Sequence, residues 1–344
     1  MKMNSRERVL AALRREEPDR VPHCELFVDP PLSEKLLGRK LGTGGTGGSV
    51  KTNPYTADEA KAIAKFLGHD NIGFVLRAPD YANVGIGTDG RTFMHGGQIK
   101  TEADLDKIQL PDPTKDEFYK DAEEFAKQKE DYACHLGTRI GLFQTMLSVG
   151  LDDFGIMLYD NQPLIEKLLD IYFDWMTVFA ERICQLDFDL FITTDDFAFK
   201  TGMFFSPKVF RDLLFDRYKR VLNKVTIPWI LHSDGNIMEA VPMLIELGVA
   251  GVHPNEKGAM DPINTKKEFG DRICVLGNVD LNLLGMGTPE EVDAEVRELI
   301  RTVGPGGGYI ITSGNSLASY LKPDNVIAMA DAVRKYGAYP IQPD

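Results

Sequence analysis

Eight short apolar or β-branched runs recur along the chain, mostly separated by stretches of helical periodicity. They are "VPHCELFV" from Val21, "IGFVLRA" from Ile72, "ACHLGT" from Ala133, "LFITTDD" from Leu190, "IPWILHS" from Ile227, "VAGVHP" from Val249, "ICVLGN" from Ile273 and "GYIITSG" from Gly308. A run that is apolar at both alternating positions is covered on both faces, as in parallel sheets whose crossovers are helices. An α/β fold follows. A closed (β/α)8 TIM barrel takes all eight strands in one domain over residues 1–344, a length ordinary for that fold.

Helix starts fit this parsing. Thr56 with Glu59 and Thr288 with Glu291 have capping-box spacing, and Ser206-Pro207 and Asp261-Pro262 place a capping side chain before a proline. The N-terminal "MKMNSRERVLAALRREEPDR" reads as an amphipathic helical extension. Two long connections follow the first and second strands: one carries "GTGGTGGS" over residues 42–49, and the other a hairpin pattern, "GTDGRTFMHGGQ". Both belong to the face that bears active-site loops, where they are candidates for a lid or for plain surface loops. The first lacks the GK[ST] ending of a phosphate loop, and "GPGGGY" at Gly304 precedes a strand and reads as a turn on the opposite face.

A net charge of −13 repels phosphate backbones and anionic lipid, which argues against nucleic-acid and membrane partners. No window approaches a membrane-spanning apolar length, and a cytoplasmic location is expected. Cys24, Cys134, Cys184 and Cys274 are unpaired by spacing and read as reduced core thiols.

Barrel enzymes project their reactive groups from the C-terminal strand ends. Those ends carry Glu25 and Asp29, Arg77, Thr138 and Arg139, Asp195 and Asp196, and His232, Asp234 and Asn236. They continue with His253 and Glu256, Asn278 and Asp280, and Ser313 and Asn315. Convergence of so many polar ends predicts an acidic pocket with two imidazoles and an arginine. Of Asp195 and Asp196, strand alternation lets only one face the pocket while its neighbour caps or bonds a loop; Asp195 is taken as the inward one. Hydrolase chemistry has little support, since no GxSxG elbow occurs. "HSDGN" from His232 is left as a metal site or an acid/base site.

The opening "SRERVLAALRREEPDRVP", the middle "DDFAFKTGMFFSPKVFRDLLFDRYKRV" and the close "GNVDLNLLGMGTPEEVDAEVRELI" with "GGGYIITSGNS" resemble the uroporphyrinogen decarboxylase superfamily over nearly the whole chain. The resemblance implies a TIM barrel from one of two branches: porphyrinogen decarboxylases, or methyltransferases that work with corrinoids. The decarboxylases grip their polycarboxylate with an arginine-rich "MRQAGR"-like segment. Here that region reads "HCELFVDPPLSEKLLGR", with Glu25 and Asp29 where cations are needed, which disfavours that branch. The methyltransferases often bind zinc through His-x-Cys after the fifth strand and a cysteine after the eighth. This chain has His232-Ser-Asp234 and Asn315 at those places, so the histidine stays and the thiolates that activate a thiol acceptor are gone.

The resemblance then implies a substrate-demethylating methyltransferase that moves a methyl group from a small methoxylated, aromatic compound to cob(I)alamin. No DxHxxG signature occurs, so the cobalamin is expected on a partner corrinoid-binding protein. Cleaving an ether leaves an alkoxide or phenoxide, which needs a proton or a Lewis acid. His232, Asp234 and Glu256 are the candidate catalytic groups, with His232 and Asp234 also the candidate zinc ligands. Glu25, Arg139, Asp195, His253, Asn278, Asn315 and Phe197 are candidates for substrate binding, Phe197 by stacking on an aryl ring. A decarboxylase of a carboxylated substrate and a non-catalytic ligand-binding barrel are the alternatives. The oligomeric state is left open.

Overall fold

The computed structural model describes residues 2–42, 53–86 and 92–341. Seven strands form one parallel sheet: β1 (Asn71–Val75), β4 (Ala133–Thr138), β5 (Leu190–Thr194), β8 (Trp229–His232), β9 (Gly251–His253), β10 (Cys274–Leu276) and β11 (Tyr309–Ile310), in that spatial order. Two small antiparallel pairs sit in the connections: β2 (Ala82–Ile86) with β3 (Thr92–Gly97), and β6 (Ala198–Phe199) with β7 (Gly202–Met203). The hairpin expected in the second long connection is therefore present. Most of "GTGGTGGS", with any lid it forms, lies outside the described residues.

The eighth position belongs to residues 22–28, and here the sequence reading needs amendment. Instead of a regular strand, this segment is held by isolated parallel bridges, His23 to Ile311 and Val28 to Leu317. On its other side Asp70 N–H donates to His23 O at 2.7 Å, and the Asn71 side chain stands in for the ladder. Its Oδ1 accepts from Glu25 N–H at 3.0 Å and its Nδ2 donates to Glu25 O at 2.7 Å. The barrel closes through these ties, with Pro22 at the start of the segment unable to donate to a ladder.

Val9, Ala12 and Leu13 of the N-terminal helix (Ser5–Leu13) pack against Ala133, Leu190, Ile230, Cys274 and Ile310, plugging the N-terminal end of the barrel. Buried Asp70 anchors that plug, receiving Ser5 Oγ at 2.9 Å, Arg8 Nη1 at 2.6 Å and Arg20 Nη2 at 2.9 Å. The plug fills the end of the barrel opposite the C-terminal strand ends.

Both capping boxes, at Thr56 and Thr288, form, and Ser206 and Asp261 accept from Val209 N–H and Ile263 N–H. All four cysteines are free thiols. Among the described residues no helix is long and apolar enough to cross a membrane.

Candidate active site at the barrel mouth

β8 ends on His232 and is followed by the tight turn Ser233-Asp234-Gly235. Gly235 has φ +84°, and a Cβ there would lie 2.4 Å from Ala198 O, so the turn can pass under the β6–β7 connection only as glycine. The turn is pinned on both sides. Asp234 N–H donates to Asp196 Oδ1 at 2.9 Å, Gly235 N–H donates to Glu256 Oε2 at 2.7 Å, and Asn236 N–H donates to Phe199 O at 2.8 Å.

This brings Asp234 and Asp196 to one imidazole. His232 Nε2 lies 3.8 Å from Asp196 Oδ1 and 3.8 Å from Asp234 Oδ1, too far for hydrogen bonds. Two ligands sharing a tetrahedral ion at zinc-like bond lengths stand about 3.3 Å apart, so a small group fits between these atoms. Asp234 Oδ1 is buried with no partner, whereas Oδ2 accepts from Asn315 Nδ2 at 2.7 Å. Burial raises the Asp234 pKa, opposed by His232 and reinforced by the charges of Asp196 and Glu256; the Asn315 hydrogen bond pulls it back. One donor atom from each of Asp196, His232 and Asp234 lies within 4.8 Å of the others, and this donor set fits a divalent ion.

His232 Nδ1 is 2.7 Å from His253 Nδ1, so one proton is shared between two acceptors. Burial, then the neighbouring His232, holds the His253 pKa well below its ordinary value, which keeps that ring neutral. If the shared proton sits on His232, its Nε2 presents either a bare lone pair to an ion or, in the imidazolium, a second N–H to the carboxylates. If it sits on His253, neutral His232 carries its proton on Nε2. The same geometry thus supports an ion-binding state and a proton-donating state, selected by one proton.

Beside the cluster is a cavity of about 210 Å³, lined by Leu26, Phe27, Val75, Arg77, His135 and Thr138, with His232 and Asn315 among its other walls. That is below the usual 300–1,000 Å³ of drug-sized ligand pockets and suits a small molecule. His135 is seated by Gly73, where a Cβ would fall 2.1 Å from the ring, and burial pushes its pKa down to about 4.

Several expected roles change. Asp195 faces away: its oxygens accept from Ile140 N–H at 2.9 Å and Phe143 N–H at 3.1 Å, capping the helix Leu142–Val149, whose own N-cap is Gly141. Burial pushes its pKa up to about 6. The inward residue is Asp196. Phe197 is fully buried, packed against Phe205 and Phe210, so it stacks on core rings and not on a substrate. Glu25 spends both oxygens on Ser313, N–H and Oγ each at 2.7 Å, and Arg139 is paired with Asp80 at 2.7 Å. Neither lines the cavity. Asn278 donates to Asn255 O and faces a separate crevice between helices. Glu256 is within reach of Lys200 at 3.4 Å and serves the turn. Of the candidates, His232, Asp234, His253 and Asn315 are brought together.

Asp196 and Arg77, which the sequence offers only as strand-end polar groups without a role, belong to the site, and so does His135, which it does not offer at all. The signal for Asp196 was Gly141 at the head of a helix, a start with no capping side chain of its own that draws one from the next strand. His135 sits in a run that reads as uniformly apolar, and nothing in its spacing sets it apart.

Comparison with known proteins places the chain in a family. Over 97% of this chain and 99% of the other, the fold matches a methyltransferase from Methanosarcina mazei, with TM-score 0.75 and 19% identity. A B12-independent methionine synthase from a Shewanella species matches with TM-score 0.58 and 12% identity, over 92% and 98% of the two chains. In sequence, the uroporphyrinogen decarboxylase of Methylibium petroleiphilum is 24% identical over 76% of this chain and 75% of its own length. That of Neisseria gonorrhoeae is 23% identical over 76% of each. The uroporphyrinogen decarboxylase (URO-D) family model matches residues 83–336, from the β2–β3 hairpin to the last helix, and the chain belongs to that family.

Proposed function

We propose that this protein is a corrinoid-dependent methyltransferase that removes a methyl group from a small methoxylated aromatic compound. The observation that carries the reading is the cluster of His232, Asp196 and Asp234 beside a cavity of about 210 Å³. An ether gives up its methyl group readily only if the oxygen left behind is protonated or polarised. His232 Nε2, 3.8 Å from a carboxylate oxygen of each of Asp196 and Asp234, is the group that delivers a proton to the ether oxygen. Asn315 holds Asp234 in place, and His253 fixes the plane of the His232 ring. A divalent ion held by Asp196, His232 and Asp234, zinc among the candidates, would supply Lewis acidity at the same place. A corrinoid carried by a partner protein would supply the nucleophile that accepts the methyl group.

Decarboxylation of a porphyrinogen fits less well. A tetrapyrrole far exceeds the cavity, and the paired carboxylates at its edge repel a polycarboxylate. The family likeness by itself is compatible with either chemistry.

The test is spectroscopic. Purified protein with cob(I)alamin and a set of aryl methyl ethers is expected to form methylcobalamin, and His232→Ala to slow it by roughly two to four orders of magnitude. Elemental analysis of wild type and Asp196→Asn separates the two states of the site. About one ion per chain, lost in the variant, indicates the ion-binding state; an active metal-free protein indicates the proton-donating one. No methylcobalamin with any ether, or full activity in His232→Ala, would overturn the proposal.

A further inference from the structure

Arg77 stands two residues beyond β1 and lines the mouth cavity together with the apolar side chains of Leu26, Phe27 and Val75. Its guanidinium makes no hydrogen bond or ion pair with any of the described residues. The nearest acid, Asp80, is taken up by Arg139 at 2.7 Å, and Arg139 adds a second cation beside Arg77. Burial, then Arg139, lowers the Arg77 pKa to about 10 against the pull of Asp80, leaving it a poorly solvated cation at neutral pH with no carboxylate in contact. Leaving a half-buried charge unpaired costs stability, and a structure that carries one generally reserves it for something that arrives.

The opposite character gathers around His232, where Asp196 and Asp234 make the site acidic. A cavity lined by a cation and by an imidazole that has two carboxylates behind it selects a dipolar orientation: an anionic group toward Arg77, a neutral oxygen toward His232. The planar fork of a guanidinium matches a carboxylate better than a round anion. Phe27 adds an aromatic ring to the lining.

We propose that Arg77 is a carboxylate-binding residue, and that the substrate is a small aromatic acid bearing its methoxy group on the ring, held by the carboxylate at Arg77. The demethylation part rests on the function proposed above; the anion subsite does not. It explains why the mouth keeps one unneutralised arginine while neighbouring Arg139 is paired. A single cation also sets the number of carboxylates the cavity tolerates at one.

Calorimetric titration separates these claims, with benzoate, 3- and 4-methoxybenzoate, and uncharged methoxybenzene as probes. Wild type is expected to bind the acids, and Arg77→Gln to weaken them roughly tenfold to a hundredfold, the range for a hydrogen bond to a charged group. Methoxybenzene binding should be the same in both proteins. Arg77→Lys, which keeps the charge without the fork, should fall between. The unliganded Arg77→Gln protein should melt no lower than wild type, because it loses no partner. Benzoate that fails to bind wild type, or binds Arg77→Gln equally well, would overturn the subsite. If benzoate binding depends on Arg77 while no ether yields methylcobalamin, the subsite stands and the methyl-transfer reading falls. If methoxybenzene is demethylated and the acids ignore Arg77, the reverse holds.

Discussion

Replacing Glu25 by Gln tests how the barrel tolerates an acid in its wall. Glu25 is 4% exposed, and burial pushes its pKa from 4.5 up to about 8 against the pull of two hydrogen bonds from Ser313. Below pH 8 the folded protein holds the proton, and the Ser313 hydroxyl reverses to accept from the acid. The unfolded chain releases that proton above about pH 4.5, so it binds fewer protons than the folded state across this window. Stability contributed by this group is therefore fully present below pH 4.5 and is lost as pH rises to 8. At about 1.36 kcal/mol per unit, the whole rise corresponds to about 5 kcal/mol, and the part between pH 6 and pH 8 to about 3 kcal/mol. Glutamine has the same shape, accepts from Ser313 N–H, donates to its Oγ and never ionises. Urea unfolding at pH 6 and pH 9 should show Glu25→Gln ahead of wild type at both, with the gap wider at pH 9 by about 3 kcal/mol or somewhat less. A gap that does not change with pH would mean that Glu25 is ionised in the fold throughout. A glutamine variant weaker than wild type at pH 9 would mean that the charge itself is needed, and either result would refute the argument.

Asp195→Ala should destabilise by about 1–2 kcal/mol through loss of a helix cap, read as a lower urea midpoint, and asparagine should restore part of it; a fall in substrate affinity without a fall in stability would return Asp195 to the pocket. Phe197→Ala should cost about 3–5 kcal/mol, while Phe199→Ala, exposed at 64%, should stay within about 0.5 kcal/mol; equal effects would contradict the assignment of Phe197 to the core. Burial pushes His69 down to about 3 and His135 down to about 4, so both rings should stay neutral by NMR from pH 8 to pH 5. Each contributes stability that is present above the ordinary pKa of 6.5 and lost on acidification below it. A midpoint near 6.5 for either ring would refute the burial argument.

The fold was legible because a doubly covered strand leaves a continuous apolar run and a capped helix leaves its box, and both signals are local. Seven runs became seven paired strands, whereas "VPHCELFV" kept its place in the barrel without a regular ladder, its ties running partly through Asp70 and Asn71, which lie far along the chain. The grouping of the candidate residues was legible for the same reason: strand ends are visible, and His232, Asp234, His253 and Asn315, read from them, stand beside one another. Which of two adjacent acids turns inward was not, because that choice is made by an uncapped helix about fifty residues upstream. Charge balance was equally hidden. Arg139 and Arg77 look alike in sequence, and only the position of Asp80 decides which one is spoken for.

The seam at residues 22–28 separates this barrel from one closed by main chain alone. Elsewhere the staves are joined by backbone amides and carbonyls, which every residue except proline supplies, so their spacing is indifferent to substitution. At the seam the fastenings include the carboxylate of Asp70 and the carboxamide of Asn71, and they hold the stave that lends Leu26 and Phe27 to the cavity. Exchanging a single side chain there, such as Asn71 for Asp, would trade a donor for a charge and reseat one wall of the pocket while leaving the other ladders intact. A change of ligand preference in this scaffold can therefore begin at a residue that never meets the ligand.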